Sequence, residues 1–171
     1  GALMTTKLGL GVTYGDGSLE TSAKSAVRAI FGYGYGSPSG VYNSVNLVNN
    51  YGTIVGDVTG VGTARSSPGA TSYGGDKAIF GYGVAGGTFY SLTNLVSNAG
   101  VVATNTTGVG TTRSYLAAAG YGTDKAVFGF GSVDGGAPAS MTNKVSNTGV
   151  VGNDVTGVGT ARNSLAAASY G

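Results

Sequence analysis

The sequence contains no histidine and no cysteine, and each absence excludes a kind of chemistry. Without histidine, the chain cannot form a Ser-His-Asp or Cys-His nucleophile arrangement or an ordinary zinc site. Without cysteine, it has neither a disulfide framework nor thiol chemistry. We therefore expect no cofactor, no bound metal and none of these enzyme classes.

Charged residues are also scarce, at 9% of the chain against about 25% in an average globular protein. The net charge is +2 without a run of like charge, whereas a nucleic-acid-binding protein normally carries a basic face. The sequence shows no signal peptide and no apolar run of about 20 residues. These features predict that neither nucleic acid nor membrane is a partner.

Glycine is abundant, at 34 of 171 residues, and the chain has 11 tyrosines and 5 phenylalanines. This glycine share is about three times the usual value of roughly 7%. Such a profile can belong to a disordered low-complexity chain, but 41% of the residues are hydrophobic. The composition therefore favours a glycine-rich β protein, with glycines at turns and crowded positions.

One sequence motif occurs three times in the chain. It reads DVTGVGTARSSPGATSYG at 57–74, NTTGVGTTRSYLAAAGYG at 105–122 and DVTGVGTARNSLAAASYG at 154–171. Phe31, Phe80 and Phe128 also correspond, at separations of 49 and 48 residues. A repeat of this period indicates an array of similar structural units.

Each unit is predicted to contain four short β-strands, because short runs with β-branched residues alternate with glycine and asparagine turns. The first strands are expected at 66–74, 114–122 and 163–171, the second at 28–34, 77–83 and 125–131, the third at 44–48, 91–96 and 140–145, and the fourth at 53–57, 101–105 and 150–154. Tight hairpins at 75–76 and 123–124 are expected to join first and second strands, and an Asn-x-Gly turn is expected to join third and fourth strands.

The order of these elements resembles the kelch repeat. Arg65, Arg113 and Arg162 match the arginine that precedes the first strand of a kelch unit. The triplets Gly-Tyr-Gly at 32–34 and 81–83 and Gly-Phe-Gly at 129–131 lie where the kelch glycine pair would be. The strict Gly-Gly and the later aromatic signature with its tryptophan are missing. The amino-acid sequences of the repeats are also similar to those of Gly- and Tyr-rich arrays encoded by tailed phages.

The resemblance implies an all-β, kelch-like β-propeller with four antiparallel strands per blade. The expected division is a cloning scar at 1–4, an N-terminal strand and insert at 5–27, blades at 28–64, 65–112 and 113–161, and a C-terminal strand at 162–171. Propellers have about four to eight blades, so we expect a homodimer that closes a six-bladed ring, with the C-terminal strand completing the first blade of its partner. The N-terminal strand would then be surplus or would compete for the same position. The alternative is a monomeric, three-fold β-trefoil or β-prism.

The acidic residues fit turns better than catalysis. Asp76 and Asp124 occupy the hairpin turns, where aspartate is favoured for its own backbone hydrogen bonds. Asp57 and Asp154 end fourth strands, and Asn105 replaces them in the middle copy. A glycosidase needs two carboxylates held across a bond, and a Ca²⁺ site would need Asp57, Asp154 and loop carbonyls together. We expect structural roles, with no catalytic residue and no metal site.

Two groups of residues remain as candidate site residues. They are the repeated arginines and the aromatic residues in the links between second and third strands. Strict repetition favours a structural role for Arg65, Arg113 and Arg162, in which each guanidinium ties one blade to the next through backbone carbonyls, over an anion-binding ring. The links at 35–43, 84–90 and 132–139 differ in every copy, as binding loops do. Their candidate ligand contacts are Tyr35, Tyr42, Phe89 and Tyr90, which would stack on a sugar; alternatively, they cover the edge of the core.

The sequence thus predicts a non-enzymatic structural or adhesion protein that self-assembles from half-propeller chains, in a viral setting. Its expected partner is itself, together with a surface glycan or another virion protein, and its expected location is virion-associated or extracellular. The alternative is a glycan-binding lectin that uses loops or pockets between blades. A hydrolase is a third class, but a fold by itself does not imply an activity.

Overall fold

The computed structural model describes residues 12–13, 19–20, 28–38 and 40–171, and within them the chain is all-β. This confirms the predicted class of secondary structure. In this part of the chain no helix is long and apolar enough to cross a membrane. The predicted cloning scar at 1–4 lies outside the described residues. Of the predicted insert at 5–27, strands β1 (Val12–Thr13) and β2 (Leu19–Glu20) pair with each other.

The other strands form three antiparallel sheets, one in each repeat unit. We call residues 28–64, 65–112 and 113–161 units 1, 2 and 3. Unit 1 contains β3 (Ala29–Gly36) and β4 (Gly40–Val48); unit 2 contains β5 (Gly69–Tyr73), β6 (Lys77–Ala85) and β7 (Thr88–Val96); unit 3 contains β8 (Ala117–Tyr121), β9 (Lys125–Gly129), a 3-10 turn (Asp134–Gly136) and β10 (Thr142–Val145).

Unit 2 shows the complete strand order, in which β6 lies between β5 and β7. A turn at 74–76 joins β5 to β6 and places Tyr73 opposite Lys77. An equivalent turn at 122–124 joins β8 to β9. Both predicted hairpins are therefore confirmed. The Asn-x-Gly turns are also present, and in unit 2 the amide of Gly100 donates to the carbonyl of Ser97 at 2.9 Å.

A bulge interrupts the second strand of units 1 and 2 at its aromatic residue. The register of β3 with β4, and of β6 with β7, shifts between the two glycines that flank Tyr33 and Tyr82. These tyrosines have left-handed φ angles of 62° and 64°, and the equivalent Phe130 has 63°. Such a conformation costs a non-glycine residue about 1–3 kcal/mol. The packing around each ring must therefore hold it in place.

The predicted fourth strands are wrong as regular strands. Each segment makes two isolated bridges to the strand before it, which in unit 1 join Val48 to Ile54 and Val45 to Val58. The outer segment therefore advances four residues while β4 advances three, and a continuous ladder cannot form. A repeated asparagine bridges the irregular part. Its Nδ2 donates to a backbone carbonyl in every unit: Asn46 to Val55 (3.2 Å), Asn94 to Ala103 (3.0 Å) and Asn143 to Gly152 (3.0 Å).

The placement of the candidate aromatic residues in long variable loops is also wrong. In units 1 and 2 the strands continue past the bulge to a tight turn, so Tyr35 lies in β3, Tyr42 in β4, and Phe89 and Tyr90 in β7. In unit 2, Val84 pairs with Phe89 and Ala85 with Thr88, so the two strands extend as far as the glycine turn at 86–87. Unit 3 has the 3-10 turn at this point instead.

Within the described residues, two hydrophobic clusters form the core, and each lies between consecutive units. One contains Val45 of unit 1 with Phe80, Val96 and Val102 of unit 2. The other joins residues of units 2 and 3: Tyr73, Ile79, Tyr82, Leu116, Ala126, Phe128 and Val145. The sheets therefore pack on one another in the order of the chain, and the main apolar burial is at the boundaries between units.

Candidate functional site: the junction between units

A phenylalanine of each following unit packs on a glycine of the unit before it. A methyl group on Gly32 would lie 3.1 Å from Cζ of Phe80, and one on Gly81 would lie 2.7 Å from Cζ of Phe128. The second distance is shorter than real Cβ atoms show, and the first is tighter than most of their contacts, so a side chain at either position would displace the ring. Each phenylalanine ring therefore packs on the backbone of a glycine in the preceding unit, and this contact occurs at both junctions within the chain.

The bulged tyrosines pack against the same two phenylalanines. The rings of Tyr33 and Phe80 meet edge to face with centroids 5.1 Å apart, and those of Tyr82 and Phe128 do so at 5.3 Å. Such pairs contribute about 0.5–1.5 kcal/mol beyond their buried area. The Tyr82 hydroxyl donates to the carbonyl of Val109 at 3.2 Å. Burial of the ring raises the pKa of Tyr82 to about 12.

An arginine also stacks on each bulged ring. Cζ of Arg65 lies 4.1 Å from the Tyr33 ring centroid, and Cζ of Arg113 lies 4.7 Å from that of Tyr82. Both arginines are fully buried. Their backbone carbonyls accept hydrogen bonds from Gly34 (2.9 Å) and Gly83 (2.8 Å) of the preceding unit. Each arginine therefore contacts the preceding unit through its ring-stacked guanidinium and through its backbone.

The guanidinium groups also bond to the unit that they begin. Nε of Arg65 donates to the carbonyl of Tyr82 at 2.6 Å. Nη1 of Arg113 donates to the carbonyl of Met141 at 2.9 Å, and its Nη2 donates to Oδ1 of Asn143. Burial lowers the pKa of Arg65, and the nearby Tyr33 opposes that shift. These contacts are those of a residue that connects two units.

A solvent-exposed polar pair also joins the two units at each junction. In the first, the amide of Thr63 donates to Oδ1 of Asn105 at 3.1 Å, and Nδ2 of Asn105 donates to Oγ1 of Thr63 at 2.7 Å. In the second, Asp154 replaces the asparagine. Its Oδ2 accepts from the amide of Thr111 at 2.9 Å and from its hydroxyl at 2.6 Å. Partial burial of Asp154 acts to raise its pKa, but the hydrogen bonds from Thr111 and Asn143, with the nearby Arg113, outweigh that effect and hold the pKa below its ordinary value.

The two ends of the array expose the residues that these junctions bury. Phe31 of unit 1 is 60% exposed, whereas the equivalent Phe80 and Phe128 are 3% and 0% exposed. Ile54 is likewise exposed, but the equivalent Val102 is buried. At the other end, Arg162 is exposed although its guanidinium lies 4.2 Å from the Phe130 ring centroid. We call these surfaces the leading face of unit 1 and the trailing face of unit 3.

The C-terminal segment is not part of a sheet in the described chain. Residues 163–171 match β5 and β8 in sequence but lie against unit 3, where Oγ of Ser169 donates to the carbonyl of Gly120 at 2.8 Å. Tyr170 is fully exposed, whereas its equivalents Tyr73 and Tyr121 are 4% and 41% exposed. Among the described residues, β3 pairs with β4 and has no strand on its other edge.

The other predicted site residues do not converge on one place. Tyr35 is 79% exposed on β3, and Tyr42, Phe89 and Tyr90 are half-buried. Asp76 and Asp124 are in their hairpin turns and pair with the adjacent Lys77 (2.6 Å) and Lys125 (3.1 Å). Hydrogen bonding from Lys77 lowers the pKa of Asp76.

The suggested Ca²⁺ pair is divided between units. Asp57 accepts a hydrogen bond from Asn46 at 2.8 Å in unit 1, whereas Asp154 binds Thr111 across the second junction. In the part of the chain that the structure describes, no three acidic side chains are grouped as a metal site would require.

Sequence reasoning missed the role of the third-strand asparagine and of the threonine before the arginine. Their signal was present, because Asn46, Asn94 and Asn143 and also Thr63, Thr111 and Thr160 recur at equivalent positions. In comparisons with known proteins, neither a protein-family model nor a curated protein matches this chain.

Proposed function

We propose that the protein is a non-enzymatic scaffold whose chains assemble through the same junction that joins their units. In this proposal each unit is one blade of a kelch-like propeller. Two chains supply six blades and close a ring, in which the leading face of each chain packs on the trailing face of the other. Twofold pairing is the commonest oligomeric symmetry, and six blades lie within the usual range of propellers.

The exposed Phe31 carries this proposal. Its two equivalents insert between a glycine and a bulged aromatic residue of the preceding unit. The trailing face contains the same pair, Gly129 and Phe130, and a methyl group on Gly129 would meet only Thr142 of its own unit. Phe31 of a second chain would fit there as Phe80 fits on Gly32.

The strand edges support the same arrangement. In unit 2, β5 pairs with β6 so that Gly69 faces Gly81 and Tyr73 faces Lys77. By the same register, residues 166–170 of one chain would pair with residues 28–32 of its partner, with Ala166 opposite Gly32 and Tyr170 opposite Arg28. This pairing would satisfy the open edge of β3 and give the C-terminal segment a β partner.

One residue departs from the pattern. The Asn-x-Gly turn of each following unit rests on a leucine of the preceding one, where Gly100 meets Leu47 and Gly149 meets Leu95. The equivalent residue on the trailing face is Lys144. Its aliphatic stem can cover an apolar surface while the ammonium group remains in water. We therefore expect the junction between chains to be weaker than those within a chain.

The assembled scaffold would act by presenting surface residues to a partner, which fits the predicted structural or adhesion role in a virus particle. A lectin is the second candidate, and the exposed ring of Tyr35 is the observation that favours it. A glycan array distinguishes the two, since free sugar should compete with binding by a lectin.

Electron microscopy of the purified chain tests the proposed assembly. We expect closed rings of six similar units around a central channel. Single three-unit particles, or rings of another number, would contradict it. Open filaments would support the junction but refute its closure by two chains.

A further inference from the structure

We infer that two polar pairs determine how a second copy docks: Thr160 with Asp57 of the partner subunit, and Arg162 with Asn46 of the partner subunit. This inference rests on the proposed function and specifies its interface. The first pair has two precedents within the chain, the contacts of Thr63 and Thr111 across the two internal junctions. The second has one, the hydrogen bond from Arg113 to Asn143 in the unit that the arginine begins.

The first pair follows the threonine contacts. Thr63 and Thr111 each meet the residue that ends the fourth segment of the next unit, which is Asn105 in one case and Asp154 in the other. Thr160 is the third member of this series, and the acid at the matching position of unit 1 is Asp57. A carboxylate that accepts from both an amide and a hydroxyl makes charge-assisted bonds, which are stronger than neutral ones.

The glycine beside each threonine supports the same assignment. A methyl group on Gly62 would collide with Asn105, and one on Gly110 would collide with Asp154. The equivalent Gly159 has open space around it in the single chain. All three glycines have left-handed φ angles, 81°, 76° and 86°, which already favour glycine. The open space over Gly159 is what the pairing requires, because it leaves room for Asp57 of the partner subunit where Asn105 and Asp154 lie in the chain.

The second pair follows the arginine contacts. Nη2 of Arg113 donates to Oδ1 of Asn143, and both residues belong to the unit that the arginine begins. Nη2 of Arg65 and Oδ1 of Asn94, at the matching positions of unit 2, are both buried and lack a hydrogen-bond partner. For Arg162 the unit that it would begin is supplied by the second copy, in which Asn46 occupies this position.

These pairs give the interface a direction. Asp57 and Asn46 belong to unit 1, whereas Thr160 lies at the end of unit 3 and Arg162 directly follows it. Two leading faces therefore lack the complementary groups, and copies must join head to tail. A head-to-tail contact forms a ring when its rotation closes and a filament when it does not.

Site-directed cross-linking tests the docking geometry, and the absence of cysteine makes it specific. The variant Asp57→Cys/Thr160→Cys is treated with a short bifunctional thiol reagent and examined under denaturing conditions. The matched control is Thr111→Cys/Asp154→Cys, whose wild-type side chains are 2.6 Å apart within one chain. We expect a covalent dimer from the first variant and a cross-linked monomer from the control.

The outcomes separate this inference from the proposed function. A dimeric mass without a cross-link at 57 and 160 would overturn the inference and leave the scaffold proposal intact. A monomeric mass for the wild-type chain would overturn both. A ladder of larger covalent species would support the polar pair but refute a ring of two chains.

A charge exchange provides a second test that does not depend on the reagent. We expect Asp57→Lys and Thr160→Asp each to weaken dimerisation about tenfold or more, and the double variant to recover most of the loss. Asp134→Lys makes the same charge change on an exposed turn of unit 3 and should have little effect. Equal, additive losses in the double variant would overturn the pairing of positions 57 and 160.

Discussion

Replacement of Phe31 by alanine separates folding from assembly. Full burial of a phenylalanine removes about 200 Å² from water, and Phe31 is 60% exposed in the single chain, which leaves roughly 120 Å² to be covered. At about 25 cal/mol per Å², covering it contributes about 3 kcal/mol. A ring of two chains contains two such junctions, so the variant should lose about 6 kcal/mol of dimerisation free energy.

Analytical ultracentrifugation over a range of concentrations measures this loss. We expect Phe31→Ala to raise the dissociation constant by about four orders of magnitude. Thermal unfolding at concentrations where both proteins are monomeric should change little. By contrast, Phe128→Ala removes a fully buried ring and should cost about 3–5 kcal/mol of folding free energy.

Val101→Ala is the matched control for surface hydrophobicity. Val101 is 65% exposed, and Val150, its equivalent in unit 3, is exposed to the same extent. This position therefore does not belong to a junction, and the variant should dimerise like the wild type. The reasoning would be refuted if Phe31→Ala dimerised normally, or if it destabilised the monomer as much as Phe128→Ala.

Three further substitutions test the junctions within the chain. Gly81→Val places a Cβ 2.7 Å from Cζ of Phe128 and should lower the free energy of unfolding, measured in urea, by about 1–3 kcal/mol. The control is Gly56→Ala, which has nothing within 4 Å of the added methyl and should leave stability unchanged. Equal effects of the two substitutions would contradict the close packing. The pKa of Asp154 is lowered in the folded chain, so its stabilisation is present above its unfolded pKa of about 4 and is lost as the pH falls through the folded value. Asp154→Asn should therefore reduce the acid sensitivity of the melting temperature, and an unchanged pH profile would count against the bond. The pKa of Tyr82 is raised to about 12, so the wild-type chain should lose stability as the pH rises above about 10, where tyrosine ionises in the unfolded chain. Tyr82→Phe should remove this alkaline loss, although it should lower the free energy of unfolding at neutral pH by about 0.5–1.5 kcal/mol. An alkaline melting profile identical to that of the wild type would argue against this account.

The repeat pattern predicted the parts of the fold that depend on local sequence. Phe31, Phe80 and Phe128 fixed the correspondence of the units, and Asp76 and Asp124 marked hairpins that the structure contains. These features were predictable because turn residues and strand periodicity act over a few neighbours.

The features that were missed depend on contacts between distant residues. Tyr35 and Tyr90 lie in strands that continue past a bulge, because cross-strand pairing outweighs the local preference of the glycine-rich sequence for a loop. Asn94 bonds to residues 9 and 11 positions away, and Asp154 meets Thr111 from 43 positions away. No local propensity specifies such pairs, although the recurrence of each residue type at equivalent positions was visible.

The central claim is that the exposed faces at the two ends of the array belong together. Light scattering of the wild-type chain at several concentrations tests it most directly. We predict a mass of twice 16.6 kDa that is independent of concentration well above the dissociation constant and falls on further dilution. A folded β protein that remains at 16.6 kDa at every concentration would contradict the assembly of two half-rings.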